Sequence, residues 1–169
     1  MKKIVMAALM ASTLGVTAAS AEMRVGLGYS IQQSSNPLAD DFSLIRVPID
    51  LVGIGLRIEP EIGLMSAEYA GMDVSGQSLG VGGYYTLFNF EKVNMYAGGK
   101  LGYGRVKTTT ILGSNTDTFT NVQGLFGADY FFVDQMSLGA EVGLQATFGD
   151  ADSFSTTSNL IIRYYFLTK

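Results

Sequence analysis

The stretch MSLGAEVGLQATF, residues 136–148, alternates without a break between apolar and polar or small side chains. Met136, Leu138, Ala140, Val142, Leu144, Ala146 and Phe148 fall on one side, and Ser137, Gly139, Glu141, Gly143, Gln145 and Thr147 on the other. A period of two is the signature of a β-strand with two different environments; a helix would mix the two sets on every face. The same pattern closes the chain, where Leu160, Ile162, Tyr164 and Phe166 oppose Asn159, Ile161, Arg163 and Tyr165.

Working outward, six more segments fit the period, near 23–32, 43–52, 56–67, 78–88, 93–107 and 119–132. Their apolar faces carry Val25, Leu27, Tyr29; Ile45, Val47, Ile49, Leu51; Leu56, Ile58, Ile62, Leu64; Val81, Gly83, Tyr85, Leu87; Val93, Met95, Ala97, Leu101, Tyr103; and Val122, Phe126, Ala128, Tyr130, Phe132. Eight strands result, each long enough to cross a membrane at a tilt. The connections alternate too. Polar stretches at 33–41, 68–77, 108–118 and 149–155 read as loops, and 53–55, 89–92 and 133–135 as tight turns. Long loops at one end and short turns at the other are the habit of outer-membrane barrels. Pro48 and Pro60 fall inside strands, where proline removes a ladder donor, so a bulge or strand end is expected near each.

The first 21 residues read as an export signal: Lys2 and Lys3, an apolar run from Ile4 to Val16, then Ala19-Ser20-Ala21 as the cleavage site. The run is too short for a spanning helix, and residues 22–169 form one barrel domain. With both ends of this domain in the periplasm, the long loops face outward. Past the signal, nine basic residues stand against fifteen acidic ones, a net charge of −6 that opposes nucleic-acid binding. Charged residues are only 15% of the chain, and no later apolar run approaches a membrane helix. An exported, apolar, helix-free chain leaves a soluble β-barrel of lipocalin type or a closed barrel in the outer membrane.

The polar face decides between them. It carries Arg24, Arg46, Asp50, Arg57, Glu59, Glu61, Lys100, Asp129, Glu141 and Arg163, five charges of each sign, together with eleven glycines. A water-facing surface needs neither balance nor missing side chains; a narrow eight-stranded lumen needs both. Arg57, Lys100 and Arg163 are expected to pair with Glu59, Glu61, Asp129 and Glu141, with Tyr84, Tyr96 and Tyr165 filling space. Outward Tyr29, Tyr103 and Phe148 near the loop ends, and Tyr85, Tyr130, Phe132, Tyr164 and Phe166 near the turn ends, suit two aromatic girdles.

On the export signal, the eight alternating strands and the final strand, residues 22–169 resemble the small eight-stranded outer-membrane proteins of the OmpA/OmpX type. The resemblance implies an all-β, antiparallel up-and-down transmembrane barrel. It also implies handling by periplasmic chaperones and by the barrel-assembly machinery. That machinery would read Tyr164 and Phe166 in the last strand, although Leu167, Thr168 and Lys169 follow here where the family usually ends in Phe.

Catalytic candidates are scarce. There is no His and no Cys, which removes Ser-His and Cys-His nucleophiles and the usual zinc sites. Glu59 and Glu61 share a strand face as a paired-carboxylate site would, but neighbouring cations make lumen ion pairs the stronger reading. Gly98-Gly99-Lys100 lacks the Ser or Thr and the helix of a phosphate loop. Asp150 and Asp152 are weak candidates for a calcium site against an ordinary solvated turn, and no cofactor is implied. Acid collects in the outer loops at Asp40, Asp41, Glu68, Asp73, Asp117, Asp150 and Asp152, where divalent cations would bridge it to lipopolysaccharide phosphates unless it merely keeps the loops in water. The function expected is a non-enzymatic envelope-integrity role in the outer membrane, or adhesion to a host or surface ligand through the loops. The alternative is a narrow porin-like channel for ions or small solutes.

Overall fold

In lipid every backbone N–H and C=O must find a partner within the protein, so a sheet at that depth has to close. The computed structural model of the chain describes residues 22–35, 42–69, 72–111, 113–149 and 152–168. The segment 1–21 lies outside them.

Nine strand segments follow one another: β1 Met23–Ser34, β2 Phe42–Arg46, β3 Ile49–Leu51, β4 Leu56–Tyr69, β5 Met72–Phe90, β6 Val93–Thr110, β7 Gly113–Val133, β8 Met136–Gly149 and β9 Ser153–Thr168. Each pairs antiparallel with its neighbours, and β1 pairs with β9 to shut the ring. Since β2 and β3 are two halves of one crossing, the ring has eight staves. No helix among the described residues is long and apolar enough to cross a membrane.

The register fixes the tilt. Directly opposed partners lead from Gly28 through Arg46, Glu61, Gly80, Gly102, Asn121 and Thr147 to Ser153. Gly28 is itself opposite Arg163, ten residues farther along β9. A circuit of the barrel thus climbs ten residues, and that stagger inclines the strands to the axis and sets the bore.

Pro48 meets the expectation of a strand end and Pro60 does not. Pro48 lies in the gap between β2 and β3, and its carbonyl still accepts from Gly26 N–H at 3.0 Å. Pro60 stands inside β4, paired with Val81, with neither a strand end nor a bulge of its own. The break in the neighbouring stave falls beside it instead, and its carbonyl accepts from Val47 N–H at 2.9 Å. Each proline therefore deletes one donor from a different seam and leaves an acceptor bond in place.

The tight joins are short because their backbones turn sharply. A 3-10 turn over Val52–Ile54 ends at Gly55, whose φ of 67° is left-handed and favours glycine. Bulges in β1, β5 and β7 lie toward this same end. At the other end the loops assigned to 68–77 and 108–118 need correction. Pairing continues through Glu68↔Asp73 and Tyr69↔Met72, and through Lys107↔Thr116 to Thr110↔Gly113. Strand β9 likewise begins at Ser153. Polar Ser, Thr and Asn side chains mislead here: once strands rise above the lipid, both faces meet water and the apolar alternation ends while the hydrogen-bond ladder continues.

Burial runs opposite to that of a soluble barrel. Arg46, Glu59, Asp129 and Arg163 are fully enclosed at 0% exposure, whereas Leu79 is 63% and Leu160 60% exposed. The outward tyrosines and phenylalanines of both expected girdles are exposed as well. A charge placed in mid-wall should therefore be costly: Leu160→Arg is expected to lose about 2–4 kcal/mol in urea titrations of the barrel folded into vesicles. A change within about 0.5 kcal/mol, as for an ordinary water-exposed site, would place this face in solvent.

Candidate functional site

The inward residues of eight inclined strands converge on a bore about wide enough for side chains alone. All ten charged residues of the polar face point into it. They come from every strand except β5: Arg24 from β1, Arg46 from β2, Asp50 from β3, Arg57, Glu59 and Glu61 from β4, Lys100 from β6, Asp129 from β7, Glu141 from β8 and Arg163 from β9.

They form one connected belt. Arg163 donates through Nε and Nη2 to the two oxygens of Glu59, at 3.2 and 3.1 Å, and through Nη1 to Asp129. Its Nη2 also reaches Glu141 at 3.4 Å. Arg46 Nη1 spans both oxygens of Glu141, at 3.2 and 3.0 Å, while its Nε lies 3.5 Å from Glu61. Arg57 grips Asp50 with two nitrogens and lies 2.8 Å from Asp129. Lys100 Nζ donates to Glu61 at 3.0 Å and stands 3.8 Å from Glu141. Arg24 joins at Asp50, 3.4 Å away. Glu141 is the hub, for Tyr96 Oη and Asn159 Nδ2 also donate to it, each at 3.1 Å. Paired charges of this kind persist where bare ones could not, because partners offset the cost of leaving water.

Rings fill what charges leave. Tyr84 and Tyr96 meet edge to face at 5.5 Å, and the Arg57 guanidinium lies 5.0 Å from the Tyr96 ring centre. Glycines leave the room that these side chains take up. A Cβ at Gly127 would fall 2.7 Å from the Tyr96 ring, and one at Gly139 would collide with the Asp129 carboxylate. At the turn end Arg24 lies over Phe131 and Tyr165, at 5.0 and 5.2 Å.

Above the belt the interior becomes neutral. Gln123 donates to Thr157 at 2.6 Å and to Gln145 at 3.3 Å, and Gln32 also donates to Gln145. Phe42 and Phe119 cross edge to face at 6.4 Å farther out. Charge balance does not single out this amide layer and aromatic cap. Alternation alone puts them inside, yet amides and apolar rings facing inward have no sign to match. Two cavities of about 50 Å³ flank the belt, one beside Arg24, Asp50 and Asn94 and one beside Gln32, Phe42 and Glu61. Each has room for a few waters.

The remaining candidates are placed as follows. Glu59 and Glu61 are both bound to cations, so neither is a free acid or base. Lys100 points to Glu61, and its preceding glycines sit in a strand. Asp152 accepts from Gly149 N–H at 3.3 Å, and Asp150 lies outside the described residues. No trio of potential metal ligands occurs among the described residues. Tyr164 and Phe166 point outward from the turn end of β9.

The hub gives the sharpest stability test. Glu141→Ala leaves Arg46, Arg163 and Lys100 short of an anion and is expected to cost about 3–5 kcal/mol, as for other broken buried pairs. Asp73→Ala, on the exposed outer sheet, should stay within about 0.5 kcal/mol. Denaturant midpoints of the two variants, refolded in the same vesicles, read the difference directly; equal midpoints would mean that water screens the belt.

Comparison with known proteins agrees with this architecture. The family model described as the outer membrane protein beta-barrel domain matches residues 4–166. No curated protein sequence matches the chain. Among solved structures, Neisserial surface protein A superposes with a TM-score of 0.59 at 16% identity, over 86% of this chain and 96% of that one. The N-terminal β-barrel domain of Pseudomonas aeruginosa OprF gives 0.57 at 12% identity, over 83% and 97%. Ail, the attachment invasion locus protein of Yersinia pestis, gives 0.52 at 14%, over 86% and 97%. At such identities the likeness is one of fold.

Proposed function

We propose that this chain, which belongs to the outer membrane protein beta-barrel domain family, is a non-enzymatic protein of the bacterial outer membrane that supports envelope integrity or surface adhesion. The observation that carries this reading is the charged belt. Ten side chains are tied across the bore, and the two cavities described beside them are small and separate, which supports a plugged scaffold whose business lies at its surface. A sequence without His or Cys, and carboxylates already bound to cations, support the non-enzymatic part.

Residues 1–21 export the chain, and chaperones with the barrel-assembly machinery insert it, the last strand offering Tyr164 and Phe166. The surface available for contact is the outer sheet, where β4–β5 and β6–β7 continue their pairing beyond the apolar wall. The β6–β7 hairpin presents Ile111 at its tip, 96% exposed. A host or surface ligand would meet this sheet; the neighbour from Yersinia pestis is an attachment invasion locus protein.

In planar bilayers the purified protein is expected to be silent, and a deletion strain to show raised detergent sensitivity or weaker surface attachment. Steady single-channel conductance by the wild type would replace this reading with the porin-like one. Extraction of the processed protein without detergent would remove it from the membrane altogether.

A further inference from the structure

Five of the basic residues are consumed by the lumen belt, and Lys92 sits in a turn at the opposite end. Arg105 and Lys107 are different. They are the described cations that face outward near the loop end, two residues apart on the exposed face of β6. Among the described residues neither has a carboxylate within ion-pair distance.

The sheet register shows what surrounds them. Three successive rows cross β4, β5 and β6 on the outer wall: Ile62–Leu79–Tyr103, then Leu64–Gln77–Arg105, then Ser66–Ser75–Lys107. The first row is wholly apolar or aromatic, the second mixed and the third polar. This is the boundary between hydrocarbon and headgroups, and Tyr103 sits where a girdle aromatic belongs. Two adjoining clefts follow the same gradient. The lower, about 320 Å³, runs along Ile62, Leu79 and Tyr103; the upper, about 410 Å³, is lined by Ser75, Lys107 and Thr116. They share Leu64, Gln77 and Arg105, so apolar floor and cationic rim form one continuous surface.

We infer that this cleft holds a phosphorylated glycolipid of the outer leaflet, with the chemistry of lipid A. An acyl chain would lie against Ile62, Leu79 and Tyr103, and a phosphate would sit between Arg105 and Lys107. Guanidinium offers a fork that fits two phosphate oxygens, and the ammonium beside it adds a point charge. The hydroxyls of Ser75 and Thr116 and the Gln77 amide stand beside the cations, which suits a sugar headgroup better than a plain phosphodiester. Glu68 and Asp73 form the next row outward and confine the anion site to the two rows below. The site rests on the proposed orientation, with the β4–β5 and β6–β7 hairpins at the outer leaflet. The lipid measurement below is made in a symmetric bilayer, so its failure is separable from that of the orientation, which protease accessibility on whole cells reports.

The barrel, reconstituted in phosphatidylcholine nanodiscs doped with lipid A, is released into native mass spectrometry and the retained lipid counted. Wild type is expected to keep lipid A. The double variant Arg105→Gln/Lys107→Gln should keep about tenfold less, and Lys92→Gln as much as wild type. Lipid A stripped of its phosphates should be lost from the wild type to the same extent, a readout that needs no variant to fold. Equal retention by the double variant, or indifference to the phosphates, overturns the site. Phosphatidylglycerol retained as well as lipid A would remove the sugar from the proposal. Displacement by inorganic phosphate at equal concentration would reduce it to a free-anion site.

Discussion

Hydrocarbon offers no hydrogen bonds, and the closed ladder is the response on which the rest of this molecule depends. With β1 paired to β9, the backbone donors and acceptors of the wall are used within the ring, and the outside is free to be apolar. Closure also dictates the inside. Eight strands staggered by ten residues enclose a bore that side chains fill, so what points inward must be small, paired or stacked. Glycines under tyrosines, carboxylates between guanidiniums and an amide layer above them are three ways of meeting that one restriction.

The two prolines show how much strain the ladder tolerates. Each removes a donor, but on different seams, and both stay next to a carbonyl that still accepts a bond. A single interruption between β2 and β3 accommodates both. The barrel keeps its register across the gap, since Arg46↔Glu61 and Ile49↔Ile58 belong to the same alignment.

Much of this was legible in the sequence, for a physical reason. Period-two alternation reports the two environments of a strand, and here those environments are lipid and lumen, which differ as sharply as chemistry allows. Glu141 among glycines in β8, or Arg163 between Ile161 and Tyr165, can only belong to an inner face. Where both faces meet water the contrast vanishes, which is why the strand segments at 72–77 and 113–118 read as loops. Who pairs with whom was harder. The contact of Arg163 with Glu59 joins residues 104 positions apart, and only the stagger of the closed ring brings them level. The rim at Arg105 and Lys107 was not singled out by the sequence, because its apolar floor comes from β4 and β5 and needs the register to assemble it.

The position of Arg163 has a bearing on the order of folding. It sits in β9, the strand that closes the ring against β1, and it binds carboxylates on β4, β7 and β8. Until that strand docks, Glu59, Asp129 and Glu141 share too few cations, and an open sheet carrying them would drag uncompensated charge into the bilayer. Wall and belt are therefore coupled: the strand whose pairing with β1 closes the sheet also delivers the guanidinium that neutralises three carboxylates of its interior.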